Sequence, residues 1–179
     1  KAKLHIISNG VGTEYIYRRV QKPKEFEGKI IVTMVGRYAR EKRQDLLIKA
    51  VSKSKYSDRI QLILAGKGLE YNTYAKLSKE LKLKPIMKFY TKEELINVLN
   101  YTDIYVHAAD AEIEAISCSE AISCLEAIAC GNVPIISNSS ESATKQFAID
   151  ERSLFEHGNE NDLANKIDYW IENKIELEK

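Results

Sequence analysis

The sequence predicts an α/β fold: a doubly wound, Rossmann-like parallel sheet of about six strands with helices on both faces. Three observations carry that reading. Short apolar, β-branched runs alternate along the chain with segments whose apolar residues recur at spacings of three and four. Strand and helix in strict alternation imply right-handed βαβ units, and hence parallel strands. The 179 residues suit one domain, which at this size buries roughly two thirds of its unfolded surface without disulfides.

Residues 1–29 read differently from the rest. A short apolar strand ending in Ser8-Asn9-Gly10-Val11 is followed by a polar, charged stretch with Pro23 and no clear period. This segment is expected to be a linker, or the tail of a preceding domain, with residues 30–179 forming the folded unit. The candidate strands are Ile30–Val35, Gln61–Ala65, Ile86–Phe89, Ile104–Val106, Pro134–Ser137 and Leu154–Phe155. Between them lie candidate helices at Asp45–Lys53, Tyr71–Leu81, Lys92–Asn100, one ending near Ala129, Ser142–Ala148 and Asn161–Glu172, each with Leu, Ile or Ala at helical spacing. The chain runs out in charged residues after Trp170-Ile171-Glu172-Asn173-Lys174. Both ends look cut, so the sequence reads as a fragment.

Composition narrows the partners. Lys and Arg total 27 against 26 Asp and Glu, which gives no overall bias toward nucleic acid or toward strong attachment to an anionic membrane. Cys118, Cys124 and Cys130 stand six apart, a spacing that fits neither a zinc site nor a secreted disulfide framework, and they read as small reduced helix residues. No apolar run approaches 18 residues and no export signal is present, so a cytoplasmic location is expected.

Three motifs fall where strands end. Val35-Gly36-Arg37-Tyr38-Ala39-Arg40-Glu41-Lys42 joins the first strand to its helix, where free amide N–H groups and the helix dipole favour an anion. Arg37 offers a planar fork for phosphate oxygens and Lys42 a mobile point charge, a pair that suits a diphosphate; a solvated basic loop is the plain alternative. Ala65-Gly66-Lys67-Gly68 ends the second strand with two glycines, permitting a tight turn or close approach of a ligand. His107 follows the fourth strand into the same cleft but lacks a Ser, Cys or metal partner, so it is a weak candidate.

The third motif is the stretch Glu112 to Gly131, in which the hexad E-A-I-x-C-x occurs three times between two apolar strands. Six residues turn an α-helix by about 600°, equivalent to 240°, and lengthen it by about 9 Å. If all three copies formed one helix, Ile116, Ile122 and Ile128 would point to three sides, as would Glu114, Glu120 and Glu126, leaving no apolar stripe to bury. Lengthening a loop costs only about 0.6 kcal/mol per doubling, whereas rotating a core helix would bury glutamates at several kcal/mol each. The first copy is therefore expected to bulge out ahead of a helix starting near Ser119.

Taken together, Val35-Gly36-Arg37 with Lys42, Ala65-Gly66-Lys67-Gly68, and Leu125-Glu126-Ala127-Ile128-Ala129-Cys130-Gly131-Asn132-Val133-Pro134-Ile135-Ile136-Ser137 resemble the carboxyl-terminal, donor-binding half of a GT-B retaining glycosyltransferase of family 4 (group 1). The resemblance spans nearly the whole chain. Tyr105-Val106-His107-Ala108-Ala109, the segment 142–148 and the segment 150–156 are similar, more narrowly, to the bacterial cholesterol and diacylglycerol α-glucosyltransferases. The resemblance implies a nucleotide-sugar donor, most plausibly UDP-glucose, and retaining transfer to a hydroxyl on a lipid or glycan acceptor. It also implies an amino-terminal domain supplying most of the acceptor site, so the fragment alone is expected to be catalytically poor. Any peripheral contact with the inner face of the plasma membrane would come through that domain.

The same resemblance implies roles for particular residues. Arg37 and Lys42 would neutralise the donor diphosphate without a metal, and Gly36 would allow close approach. Of the family's two glutamates, eight residues apart, the first contacts the sugar and the second holds the ribose. Glu126, fixed by the downstream Ala-Ile-Ala-Cys-Gly-Asn-Val-Pro, is the natural second glutamate, yet Cys118 stands eight residues before it. Glu112 and Glu120 have the required spacing, and Glu112 follows His107-Ala108-Ala109 as the first glutamate should. A hexad duplication inside the motif explains the six-residue disagreement. The competing reading is a non-catalytic nucleotide- or partner-binding α/β module whose transfer motif the duplication has disrupted. A flavodoxin-like or dehydrogenase domain fits poorly, because the first strand lacks a glycine fingerprint.

Overall fold

The computed structural model describes residues 12, 14, 20–109, 117–140 and 143–173, with the side chains of 117–121 and 143 outside that description. Six parallel strands form one sheet: β1 (Ile30–Val35), β2 (Ile60–Ala65), β3 (Ile86–Lys88), β4 (Ile104–His107), β5 (Val133–Ser137) and β6 (Leu154–Phe155). Their order is β3-β2-β1-β4-β5-β6. The chain therefore travels outward from β1 to β3, returns to lay β4 beside β1, and travels outward again.

Right-handed crossovers running in opposite directions put their helices on opposite faces, and alternate strand residues serve both. Ile30, Val32 and Met34 of β1 pack with α1 (Gln44–Lys53), α2 (Tyr71–Glu80) and α5 (Glu160–Glu172). Val35 and Tyr105 pack instead with α3 (Lys92–Tyr101) and α4 (Ser117–Ala129), through Leu95, Leu99, Cys124 and Ala127. Phe26, in a short 3-10 turn at Lys24–Phe26, is buried against Ile31, Ile63 and Val98, which ties the described part of the leading segment to this second face.

Helix ends follow local chemistry. Thr91 and Glu94 form a reciprocal capping box at α3, and Asn159 caps α5 by accepting from Asn161 N and Asp162 N. α4 ends in a Schellman motif: Gly131 takes φ +83°, Asn132 N donates to Ala127 O at 3.1 Å, and Gly131 N donates to Ile128 O at 2.8 Å. That closure and the burial of Cys124, Ala127 and Cys130 fix the register of the last hexad.

One expectation is corrected. The helix expected over Ser142–Ala148 is a 3-10 helix at Ala143–Phe147, with Thr144 fully buried and Phe147 packed on the core three residues later. A spacing of three is the period of a 3-10 turn, and one apolar contact per turn cannot distinguish it from an α-helix. α4 spans Ser117–Ala129, which agrees within two residues with the start expected near Ser119. The rest of the first copy, with Glu112 and Glu114, lies outside the described residues, as do the short strand expected before Val11 and Ser142.

Candidate active site at the strand-order reversal

Between β1 and β4 the strand order reverses, the position at which open α/β sheets offer a crevice outside the carboxyl ends of their strands. One wall is built from the loops after β1 and β2, which are hydrogen-bonded to each other. Gly36 N donates to Ala65 O, Tyr38 N to Lys67 O and Glu70 N to Tyr38 O, at 3.0 to 3.2 Å. A Cβ on Gly66 would collide with Gly36 O, and one on Gly68 with Tyr38 O. Both glycines of the Ala65-Gly66-Lys67-Gly68 motif are thus required by the fit of one loop on the other. Gly36 is different: a Cβ there would meet only Gln44 Nε2, at 3.9 Å. The protein has little internal need for glycine at 36, and the space beside it is open to a ligand.

The cations divide by burial. Arg37 is exposed, pairs with Glu41 at 3.0 Å across one turn, and has its carbonyl held by Gln44 Nε2 at 2.9 Å. Lys42 is only 6% exposed, which corrects its description as a mobile point charge. It sits near enough to His107, itself 3% exposed, that its charge adds to burial in pushing the imidazole pKa down to about 4. His107 is therefore neutral at physiological pH, and the cationic character of the crevice comes from Lys42 and Arg37. No side chain caps the first turn of α1, whose N-cap Arg43 adopts a left-handed conformation at φ 57°. That end keeps the anion preference expected of it.

Beside Arg37 lies a cavity of about 340 Å³ lined by Val35, Gly36, Gly66, Lys67, Phe89, Tyr90 and Leu95, among others. Its walls are mostly apolar. Lys67 Nζ rests 4.7 Å from the Phe89 ring centroid, and Lys88 Nζ rests 4.6 Å from that of Tyr90. Sequence reasoning missed Phe89, Tyr90, Lys67 and Leu95. The available signal was the aromatic pair following β3 at the same sheet edge as the two glycine motifs.

Glu126 is partly buried on α4, on the side facing β4 and α3. Burial raises the Tyr105 phenol pKa well above its usual value, with the charges of Cys124 and Glu126 adding to it. The Lys92 ammonium is held above its usual range by its ion pair with Glu14 and, less strongly, by Glu126. Tyr105 shares a buried cluster with Val35 and Leu95, two residues of the cavity wall. Glu120 occupies the same helix six residues earlier, about 240° around and about 9 Å along the axis. Among the described residues no cluster of His, Cys, Asp and Glu forms a metal site.

The fold is that of a doubly wound α/β domain, with Arg37, the buried Lys42 and an apolar-walled cavity at the carboxyl end of β1. The sequence specifies the family: residues 18–179 match Glycosyl transferases group 1, and the chain belongs to that family. It is 50% identical to the catalytic domain of cholesterol-alpha-glucosyltransferase from Helicobacter pylori, over 83% of this chain and 90% of that one, with a TM-score of 0.77. The C-terminal domain of the group 1 glycosyl transferase LpcC from Francisella tularensis is similar at 19% identity and TM-score 0.73, over 94% and 90% of the two chains. Anabaena Alr3699/HepE, solved in complex with UDP and glucose, is similar at 19% identity and TM-score 0.69, over 86% of this chain and 41% of its own. The chain thus spans less than half of that neighbour. Comparison with curated proteins returned no match.

Proposed function

We propose that this chain is the donor-binding half of a retaining hexosyltransferase that transfers glucose from UDP-glucose to a lipid or glycan hydroxyl. The observation that carries the reading is the apolar-walled cavity with Arg37 in its lining, in a group 1 glycosyl transferase whose same β1–α1 loop carries the buried Lys42. The base of the nucleotide would lie in the cavity against Phe89 and Tyr90, and its ribose would reach Glu126. The diphosphate would cross the open space at Gly36 toward Arg37 and Lys42.

As the glycosidic bond lengthens, negative charge accumulates on the leaving diphosphate. A cation already desolvated, as Lys42 is, stabilises that charge more strongly than one in water and with little reorganisation. His107, kept neutral, offers hydrogen bonds near the sugar without competing for the phosphates. The similarity to the Helicobacter pylori glucosyltransferase supports glucose as the sugar and a lipid as acceptor, and the UDP and glucose held by HepE support the nucleotide. The acceptor site is assigned to an amino-terminal domain, with residues 1–29 as the connection to it. A cytoplasmic location suits a nucleotide-sugar donor, and no helix among the described residues is long and apolar enough to cross a membrane.

Calorimetric titration with UDP and UDP-glucose tests the reading. Saturable UDP binding, with UDP-glucose binding more tightly, is expected. Absence of binding by either ligand at millimolar concentration would contradict it.

A further inference from the structure

One charged surface is not used by the donor site. Residues 67–88 carry six lysines and two glutamates, whereas the whole chain has a formal net charge of only +1. The charge balance of the entire sequence conceals this local excess. Two of the lysines are compensated, Lys76 by Glu80 at 4.0 Å and Lys88 by Glu94 at 3.2 Å, and Lys67 lies over Phe89. Lys79, Lys82 and Lys84 are exposed and form no ion pair among the described residues. They line a groove of about 580 Å³ between α2 and the edge strand β3, together with Tyr71, Leu83, Pro85 and Met87. None of the residues of this groove lines the cavity beside Arg37.

The backbone adds an independent observation. α2 closes in a Schellman motif, with Leu83 N donating to Ser78 O at 2.8 Å and Lys82 N to Lys79 O at 3.1 Å. The left-handed position of that motif, φ 58°, is held by Lys82. Glycine is the residue that adopts this conformation without strain, and Gly131 holds the equivalent position in the Schellman closure of α4. Lysine at this position is conformationally costly and places a charge on the groove rim.

We infer that the groove between α2 and β3, with Lys79, Lys82 and Lys84 on its rim, docks this domain on an anionic phospholipid bilayer. The chemistry favours a bilayer over other polyanions. Long aliphatic stems that end in ammonium groups sit with the stem along apolar surface and the head among phosphates. Tyr71, Leu83, Pro85 and Met87 supply that apolar surface. A discrete phosphate site would call for a planar guanidinium fork, which the groove lacks. Contact of this kind would hold the donor-binding domain at the surface where a lipid acceptor resides, independently of any contact through an amino-terminal domain.

The test is co-sedimentation of the 179-residue chain with vesicles of phosphatidylcholine alone, and of phosphatidylcholine containing about one third phosphatidylglycerol. Binding is expected only to the anionic vesicles and is expected to fall steeply with salt. Each lysine removed should weaken it about fivefold, and the K79Q/K82G/K84Q variant about 100-fold. K82G alone separates charge from structure: its urea midpoint should match or exceed that of the parent, while vesicle binding falls about fivefold. A K22Q/K24Q variant should bind vesicles as the parent does, and the triple variant should bind UDP as the parent does. Binding that ignores phosphatidylglycerol, or that survives in the triple variant, would overturn the inference. So would loss of UDP binding in that variant, loss of vesicle binding in K22Q/K24Q, or displacement of the chain from vesicles by millimolar glycerol phosphate as readily as by anionic vesicles.

Discussion

The loops after β1 and β2 and the helix after β4 carry the chain's candidate site residues on two opposite kinds of framework. In the first region two loops are fastened to each other by three backbone hydrogen bonds and by two glycines with no room for a side chain. In the second a helix offers near-identical hexads in succession, and only the closure at Gly131 and the buried Cys124, Ala127 and Cys130 determine which glutamate faces the sheet. A lesson follows about duplications. Insertion into the interlocked loops would meet backbone with no room to give, whereas insertion ahead of the last hexad leaves the closure at Gly131 and the buried Cys124, Ala127 and Cys130 in place.

The largest expected effect therefore belongs to the interlocked loops. Gly66→Ala drives a Cβ into the Gly36 carbonyl and is expected to lower unfolding stability by about 3 to 4 kcal/mol in urea titrations. Gly36→Ala meets only ordinary contact, so it should change stability by less than about 1 kcal/mol while weakening UDP binding. A comparable loss in both variants would show that Gly36 is a packing residue.

Next in size, Arg37→Ala should weaken UDP binding about 30-fold, by loss of a charged hydrogen bond worth about 2 kcal/mol. Its surface pair with Glu41 contributes little, so the urea midpoint should not move.

The crevice also carries a pH dependence. The His107 pKa is about 4 in the folded protein against an ordinary 6.5, so between those values the unfolded chain binds more protons. Stability should consequently rise with pH through this window: it is fully present above about pH 6.5, and about 2 kcal/mol is lost by pH 5. His107→Gln should flatten that slope in urea titrations at pH 7 and pH 5. An unchanged slope would assign the dependence to other groups.

The smallest effect sharpens the comparison most. Glu126→Gln should weaken UDP binding about tenfold, and Glu120→Gln should leave it unchanged, because about 240° of helix separates them. The reverse order would mean that the duplicated hexad, and not the final one, holds the ribose.

Much of this was legible in the sequence, because strand and helix alternation is set by the apolar face each element must bury. Ile30–Val35 and Leu154–Phe155 emerge with the predicted bounds. The Gly-Arg motif falls at the carboxyl end of β1, where a glycine punctuates a pattern that local chemistry controls, whereas the Glu-Ala-Ile-Ala-Cys-Gly motif ends α4 just ahead of β5, toward the opposite edge. What escaped depended on tertiary proximity. The burial of Lys42 beside His107 joins residues from different βαβ units, and the Phe89 and Tyr90 wall needs β3 to lie next to β2 before two aromatic residues become a cavity. The Ala143–Phe147 turn was misread because its buried residues repeat at three, a spacing shared by two kinds of helix.

The account rests on one placement, a nucleoside diphosphate at the reversal of strand order, and a crystal structure of the chain soaked with UDP tests it most directly. The account predicts the base in the cavity against Phe89 and Gly66, the ribose toward Glu126, and the diphosphate over Gly36 between Arg37 and Lys42. UDP bound elsewhere on the molecule, or a crevice left empty at saturating UDP, would contradict it.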